Sequence, residues 1–112
     1  MVRDHSAVNE KAAALAKELG VTPRDNATSQ SLLKGAAEAR APMEKLSCKE
    51  FDRAYITREI AYHQAVIDAL DKVLIPTTDN PQLKKLLVDV RPNFVAHLEY
   101  AKKVNSKVVA AR

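Results

Sequence analysis

The stretch SCKEFDRAYITREIAYHQAVIDALDKVL, residues 47–74, decides the fold of this chain. Ser47 and Glu50 have the spacing of a capping box, in which two side chains satisfy free backbone N–H groups at the start of a helix. Apolar residues then recur at steps of three and four, and no glycine or proline interrupts them. The stretch therefore predicts one long amphipathic helix from about Cys48 to Leu74.

A second helix is predicted at the start of the chain. Gly20 can adopt the left-handed conformation that often ends a helix, and Pro23 follows it. One apolar stripe leads up to this end, formed by Met1, His5, Val8, Ala12, Leu15 and Leu19. The stripe is already running at Met1, so we expect the chain to enter this helix part-way along.

A third long helix is predicted to begin at Asn80 and Pro81, which suit the cap and the first helical position. Its stripe continues almost to the C-terminus through Leu83, Leu87, Val90, Phe94, His97, Ala101, Val104 and Val108. Pro92 lies inside this helix and has no N–H to donate to the carbonyl of Val88. We therefore expect a kink one turn before His97.

The segments between these helices predict one shorter helix and two connections. The shorter helix spans Ser29 to Arg40, with Leu32, Leu33 and Ala36 turned inward, and Pro42 ends or kinks it. Residues 21–27 are expected to form a loop, and residues 75–80 a turn. The whole chain, residues 1–112, is thus predicted to be a single all-α domain: an antiparallel bundle of three substantial helices and a short one.

Composition narrows the possible functions. No run of about 18 apolar residues occurs, so no transmembrane segment is expected, and no apolar region follows the early charges as in a signal peptide. The net charge is +4, but 18 basic residues are interspersed with 14 acidic ones. A solvated helix surface explains this pattern better than a nucleic-acid patch, and we predict no nucleic-acid partner.

The three histidines of the chain, His5, His63 and His97, all lie on apolar stripes of the long helices. At about 1.5 Å per residue, His5 is roughly 22 Å from Gly20, and His63 is roughly 22 Å from Cys48. If these two helices are antiparallel neighbours, the two side chains are level. His97 matches more loosely, at about 24 Å from Pro81 against about 16 Å from His63 to Leu74. We predict that the three side chains share one layer.

Two interpretations of this layer are open. In the first, the histidines are satisfied core residues with a structural role, and their hydrogen-bond partners come from Asn9, Tyr55, Glu59, Tyr62 and Asn93. In the second, His5, His63 and His97 bind Zn²⁺ or iron, and Glu59 is the likeliest carboxylate ligand. No Gly-rich phosphate loop and no His-Glu-x-x-His motif occurs, so the chain is predicted not to be an enzyme.

Several segments, taken together, resemble a bacterial family, the domain of unknown function 4142. They are Met1-Val2-Arg3-Asp4-His5-Ser6, Phe51-Asp52-Arg53-Ala54-Tyr55-Ile56 with His63-Gln64, and Pro92 with His97-Leu98. The resemblance implies a ferritin-like four-helix arrangement in which the matching histidines belong to the family's pattern. It also implies a periplasmic or cell-envelope setting, since members are often labelled outer-membrane or secreted proteins.

The chain departs from this family at its N-terminal side. The signal segment, the first long helix and the front of the second are missing, which predicts truncation there. A chain complete as given would be cytoplasmic. A bundle that lacks one helix leaves an apolar groove exposed, so we predict a homo-oligomer that buries this groove.

Overall fold

The computed structural model describes residues 1–111, and all its regular elements are helical. In chain order they are α1 (Val2–Glu18), α2 (Ala27–Met43), α3 (Cys48–Ala69), a π-helical turn (Leu70–Leu74), α4 (Ile75–Thr77) and α5 (Pro81–Ala110). Because α4 is a single turn that continues α3, four helices pack together. The predicted all-α bundle is confirmed.

The helix ends use the residues that the sequence indicates. Gly20 has a φ of 68°, and Val21 N–H reaches back to the carbonyl of Ala16, which closes α1 with a left-handed residue. The Oδ1 atom of Asn80 accepts from the backbone N–H of Leu83 at 2.9 Å and caps α5. At the start of α3, Glu50 Oε2 accepts from the backbone N–H of Ser47 at 3.1 Å. These local signals fix where each chain reversal takes place.

The long central helix runs further than predicted. Residues 75–77 were expected to begin a turn, but the backbone stays helical through the π-helical turn and α4 as far as Thr77. In this turn the N–H of Ile75 donates to the carbonyl of Leu70, five residues back. The wider turn precedes Pro76, which has no N–H and whose ring would crowd an ordinary helical turn. The prediction of a turn from residue 75 is therefore wrong.

The helix α2 also differs from its prediction. It has 17 residues, the same length as α1, and Asn26 and Ser29 cap its start with a reciprocal pair of hydrogen bonds. The predicted inward residues do not reach the core: Leu33 is 68% exposed and Leu32 is 50% exposed. The helix runs three residues past its predicted end at Arg40, so Pro42 lies inside it, one residue before the last at Met43.

Consecutive long helices run in opposite directions. Gln82 donates to Glu18 at 3.0 Å near one end of the α1–α5 pair, and His5 meets His97 near the other end, so α1 and α5 are antiparallel. The helix α3 is also antiparallel to α5, and α1 is therefore parallel to α3. The assumption that α1 and α3 are antiparallel is wrong, because the 17 residues of α2 carry the chain back about 25 Å between them.

The buried core lies between α3 and α5. Its apolar members all come from these helices and the π-helical turn: Ile56, Ile67, Leu70, Val90, Leu98 and Ala101. Among the described residues, α1 and α2 contribute no buried side chain. No helix in this part of the chain is long and apolar enough to cross a membrane. Pro92 lies within α5, which is continuous from Pro81 to Ala110, and the kink there stays a prediction.

Candidate metal centre

The three histidines form one cluster, as predicted. Ring centroids are 4.9 Å apart for His5 and His97, 5.6 Å for His5 and His63, and 5.7 Å for His63 and His97. His63 and His97 are buried, at 2% and 8% exposure, while His5 is half-buried at the edge of the core. Each of three helices therefore contributes one imidazole to a single layer.

The extension of the central helix explains why His97 fits this layer better than predicted. Thr77 is 14 residues beyond His63, which corresponds to about 21 Å of helix, and His97 is 16 residues beyond Pro81, about 24 Å. The expected difference of about 8 Å therefore shrinks to about 3 Å. The short connection between α4 and α5 absorbs the remainder.

His63 is held so that one ring nitrogen has no partner. Its Nδ1 atom lies 2.8 Å from the backbone carbonyl of Glu59, and a carbonyl only accepts, so the proton of the neutral ring is on Nδ1. The Nε2 atom then carries a lone pair. This atom is buried and has no hydrogen-bond partner among the described residues.

His97 is oriented by an acidic residue of α1. Its Nε2 atom lies 2.9 Å from Oδ2 of Asp4, so Nε2–H donates to the carboxylate and Nδ1 carries the lone pair. That hydrogen bond is the main cause that lowers the pKa of Asp4. The arrangement leaves His97 Nδ1 turned toward His5 Nε2, at 3.3 Å.

The nitrogen atoms are close enough to share a metal ion. The candidate ligand atoms of the three histidines all lie within 4.8 Å of one another. Zn–N bonds of 2.0–2.1 Å in a tetrahedral site place neighbouring nitrogens about 3.3 Å apart. The His5–His97 pair already has this separation. Because no two candidate ligand atoms are more than 4.8 Å apart, side-chain rotations that shorten the separations by at most about 1.5 Å would bring His63 to the same distance.

The surroundings favour neutral imidazole at His5. Burial lowers the pKa of His5, and the neighbouring His97 and His63 lower it further. Phe94 packs beside the cluster, with its ring centroid 5.4 Å from that of His5 and 6.3 Å from that of His63. Since metal ligands must be unprotonated, this environment holds His5 in the form that binds.

Glu59 contacts the cluster from the side of His63. Its Oε2 atom lies 3.4 Å from His63 Nδ1, and its backbone carbonyl fixes the ring. Glu59 is not among the residues whose ligand atoms lie within 4.8 Å of one another. Its role in this structure is to orient His63, and its assignment as a metal ligand stays a prediction.

The partners proposed for a satisfied core cluster are mostly elsewhere. Among the described residues, Asn9, Tyr55, Tyr62 and Asn93 are all exposed, and none is hydrogen-bonded to a histidine. Asp4, which does bind His97, was not predicted. Its only signal in the sequence is its position beside His5, and adjacent helical residues point about 100° apart. Only the packing of α1 against α5 reveals this contact.

Comparison with known proteins defines the family of the chain and leaves its activity open. Neither the curated proteins nor the solved structures contain a match. Residues 1–104 match the family described as Domain of unknown function (DUF4142), which covers most of the chain. The resemblance in the histidine-bearing segments has its explanation here: this protein belongs to the DUF4142 family.

Proposed function

We propose that this protein is a metal-binding helical bundle in which His5, His63 and His97 hold one divalent ion. The proposed ligand atoms are Nε2 of His5, Nε2 of His63 and Nδ1 of His97. The observation that carries the proposal is the buried lone pair of His63 Nε2, which has no partner among residues 1–111 although two other imidazoles lie beside it.

The alternative of a purely structural cluster fits this observation less well. A buried polar atom without a partner costs about 1–3 kcal/mol, and folded proteins rarely retain one without a reason. A bound ion would give His63 Nε2 a partner, and the Nδ1 lone pair of His97 would bind the ion in place of the N–H of His5 Nε2. With the metal bound, the proton of His5 must move to Nδ1, since Nε2 becomes a ligand.

The donor set favours Zn²⁺ or iron. Imidazole nitrogens suit both metals, and a thiolate is not available because Cys48 is exposed about 22 Å away along α3. Three protein ligands leave a fourth position for water or, after a change of rotamer, for the carboxylate of Glu59. The proposal includes no catalytic step, since the sequence carries no recognisable nucleophile or phosphate-binding motif.

A thermal melt with and without Zn²⁺ tests the proposal. The Cys48→Ser variant serves as the reference, because it removes adventitious binding at the exposed thiol. At a Zn²⁺ concentration about 100 times the dissociation constant, binding adds about 2.7 kcal/mol, which corresponds to a rise of roughly 10 °C or more in Tm. The same rise in Cys48→Ser/His63→Gln would contradict the proposal.

We place this function in the cell envelope, in a bundle of the ferritin-like type. Both parts follow from the resemblance of the histidine-bearing segments to their family. Fractionation of cells that carry the natural gene tests the location: recovery in the periplasmic or membrane fraction supports it, and recovery with cytosolic markers contradicts it.

A second role, interaction with another copy of the chain, is supported by exposed apolar surface. Phe51 and Tyr55 stack on each other near the start of α3, with ring centroids 5.9 Å apart, and both are exposed. Val88 and Tyr100 of α5 are also exposed, at 48% and 62%. Large apolar and aromatic side chains exposed in this number favour association, so we expect a homo-oligomer that covers some of them.

A further inference from the structure

We propose that the groove between α2 and α3 binds an anionic single-chain amphiphile, such as a long-chain carboxylate. The site contains none of the three histidines and does not depend on the metal, although Glu59, which contacts His63, lines its continuation. The groove has a volume of about 570 Å³. Ligand sites commonly have volumes of roughly 300–1,000 Å³, so an extended small molecule can lie along it.

The floor of the groove is apolar and elongated. It is lined by Ala39 and Met43 of α2 and by Ala54 and Ala61 of α3. A second cavity of about 210 Å³ shares Arg58 with the groove, and two further residues on the same face of α2, Leu32 and Ala36, line it. An alkyl chain along this path would cover Leu32, which is 50% exposed without it.

Two arginines line the groove and favour an anion there, while the one carboxylate, Glu59, lines only its continuation. Arg53 and Arg58 both line the groove, and neither forms an ion pair within 4.0 Å with a carboxylate of residues 1–111. The hydroxyl of Thr57 lies between them in sequence and lines the same groove. A carboxylate at this point would accept charge-assisted hydrogen bonds, of which arginine forms the most directional kind.

One contact holds an arginine at this site. The Cζ atom of Arg58 lies 6.0 Å from the ring centroid of Tyr62, within the range of a cation–π interaction. Arg58 also lines both the groove and its continuation. The head group is therefore expected beside Arg53 and Arg58, and the chain on the alanine and leucine surface of α2.

Calorimetric titration with dodecanoate below its micelle concentration tests the proposal. We expect saturable binding of dodecanoate, weaker binding of dodecanol, and no binding of acetate, because both the charge and the chain contribute. The double variant Arg53→Gln/Arg58→Gln should weaken dodecanoate binding by about tenfold or more. Arg24→Gln, which removes one positive charge from the loop between α1 and α2, should leave dodecanoate binding unchanged.

A second pair of variants tests the apolar floor. Ala39→Leu narrows the groove, whereas Ala37→Leu adds the same side chain to an exposed position of α2. We expect only Ala39→Leu to reduce binding. Equal affinity for dodecanoate and dodecanol, or no effect of the double arginine variant, would overturn the proposal. A third result would also overturn it: the natural chain does not bind dodecanoate, and Ala39→Leu changes the mass of the oligomer in solution. The occupant of the groove would then be a second copy of the chain.

Discussion

Asp4 has a larger part in the histidine cluster than its half-buried position at the edge of the core suggests. Its carboxylate accepts from His97 Nε2–H and so directs Nδ1 toward the other two imidazoles. Groups that orient a metal ligand in this way typically change the affinity 10–100-fold when they are lost. Replacement of Asp4 should therefore weaken metal binding without removing any ligand.

The variant Asp4→Asn makes this expectation testable. The amide keeps the size of the side chain and removes its charge, so Zn²⁺ affinity measured by competition with a chelating dye should fall by about 10–100-fold. Asp89→Asn is the matched control, since Asp89 pairs with Lys85 on the exposed face of α5. Equal affinities in the two variants would show that Asp4 does not position His97.

The protonation of His5 should make the metal-free protein less stable in mild acid. Burial and the neighbouring histidines lower the pKa of His5 below its ordinary value of 6.5. As the pH falls through 6.5, the unfolded chain takes up this proton before the folded one, so the free energy of unfolding decreases. The loss is complete once the pH is below the folded pKa.

Urea denaturation in the presence of a chelator checks this pH dependence. The denaturation midpoint should fall between about pH 7.5 and about pH 5, and it should fall less in His5→Gln. Asp4 does not interfere in this window, because its pKa is lowered from 3.8 and its contribution is lost only in stronger acid. A pH dependence as steep in His5→Gln as in the natural chain would exclude His5 as its source.

At the scale of the elements, the same type of cap begins two helices that differ in their share of the core. Asn26 caps α2, which contributes no buried side chain, whereas Asn80 caps α5, which supplies half of the core. Loss of an asparagine cap typically costs about 1 kcal/mol. We expect loss of the Asn26 cap to destabilise only α2, and loss of the Asn80 cap to destabilise the whole fold.

Hydrogen exchange on Asn26→Ala and Asn80→Ala distinguishes these two effects. Asn26→Ala should speed exchange in residues 27–43 and leave α3 and α5 unchanged, since α2 can open on its own. Asn80→Ala should lower the free energy of global unfolding by about 1 kcal/mol. A global loss in both variants would mean that α2 unfolds together with the rest of the bundle.

The elements also show how far the sequence alone predicts this fold. Periodicity, Gly20 and Asn80 locate the long helices, because these signals act within one or two turns. The extension through Pro76 and the direction of α1 relative to α3 were not predictable in this way. The first depends on a π-helical turn, and the second on the length of α2. The histidine layer was predicted correctly, although one of its premises was wrong.

At the scale of the whole molecule, the position of the core predicts self-association. The described part of the chain buries its apolar side chains between α3 and α5, while α1 and α2 only cover the margins. Sedimentation equilibrium at tens of micromolar should therefore give a mass above 12.4 kDa. A monomer at that concentration would contradict the expectation.

Tyr100→Glu, on the exposed face of α5, should shift the equilibrium toward the monomer if that face is buried between copies.

The metal content of the purified chain tests the central claim most directly. The Cys48→Ser protein, purified without a chelator, loaded with excess Zn²⁺ and dialysed, should retain one ion per chain. His63→Gln in the same background should retain almost none, because Nε2 of His63 is the one buried nitrogen without another partner among the described residues. A Cys48→Ser protein that retains no Zn²⁺, or a His63→Gln protein that retains one ion per chain, would contradict the assignment of the three histidines as a metal centre.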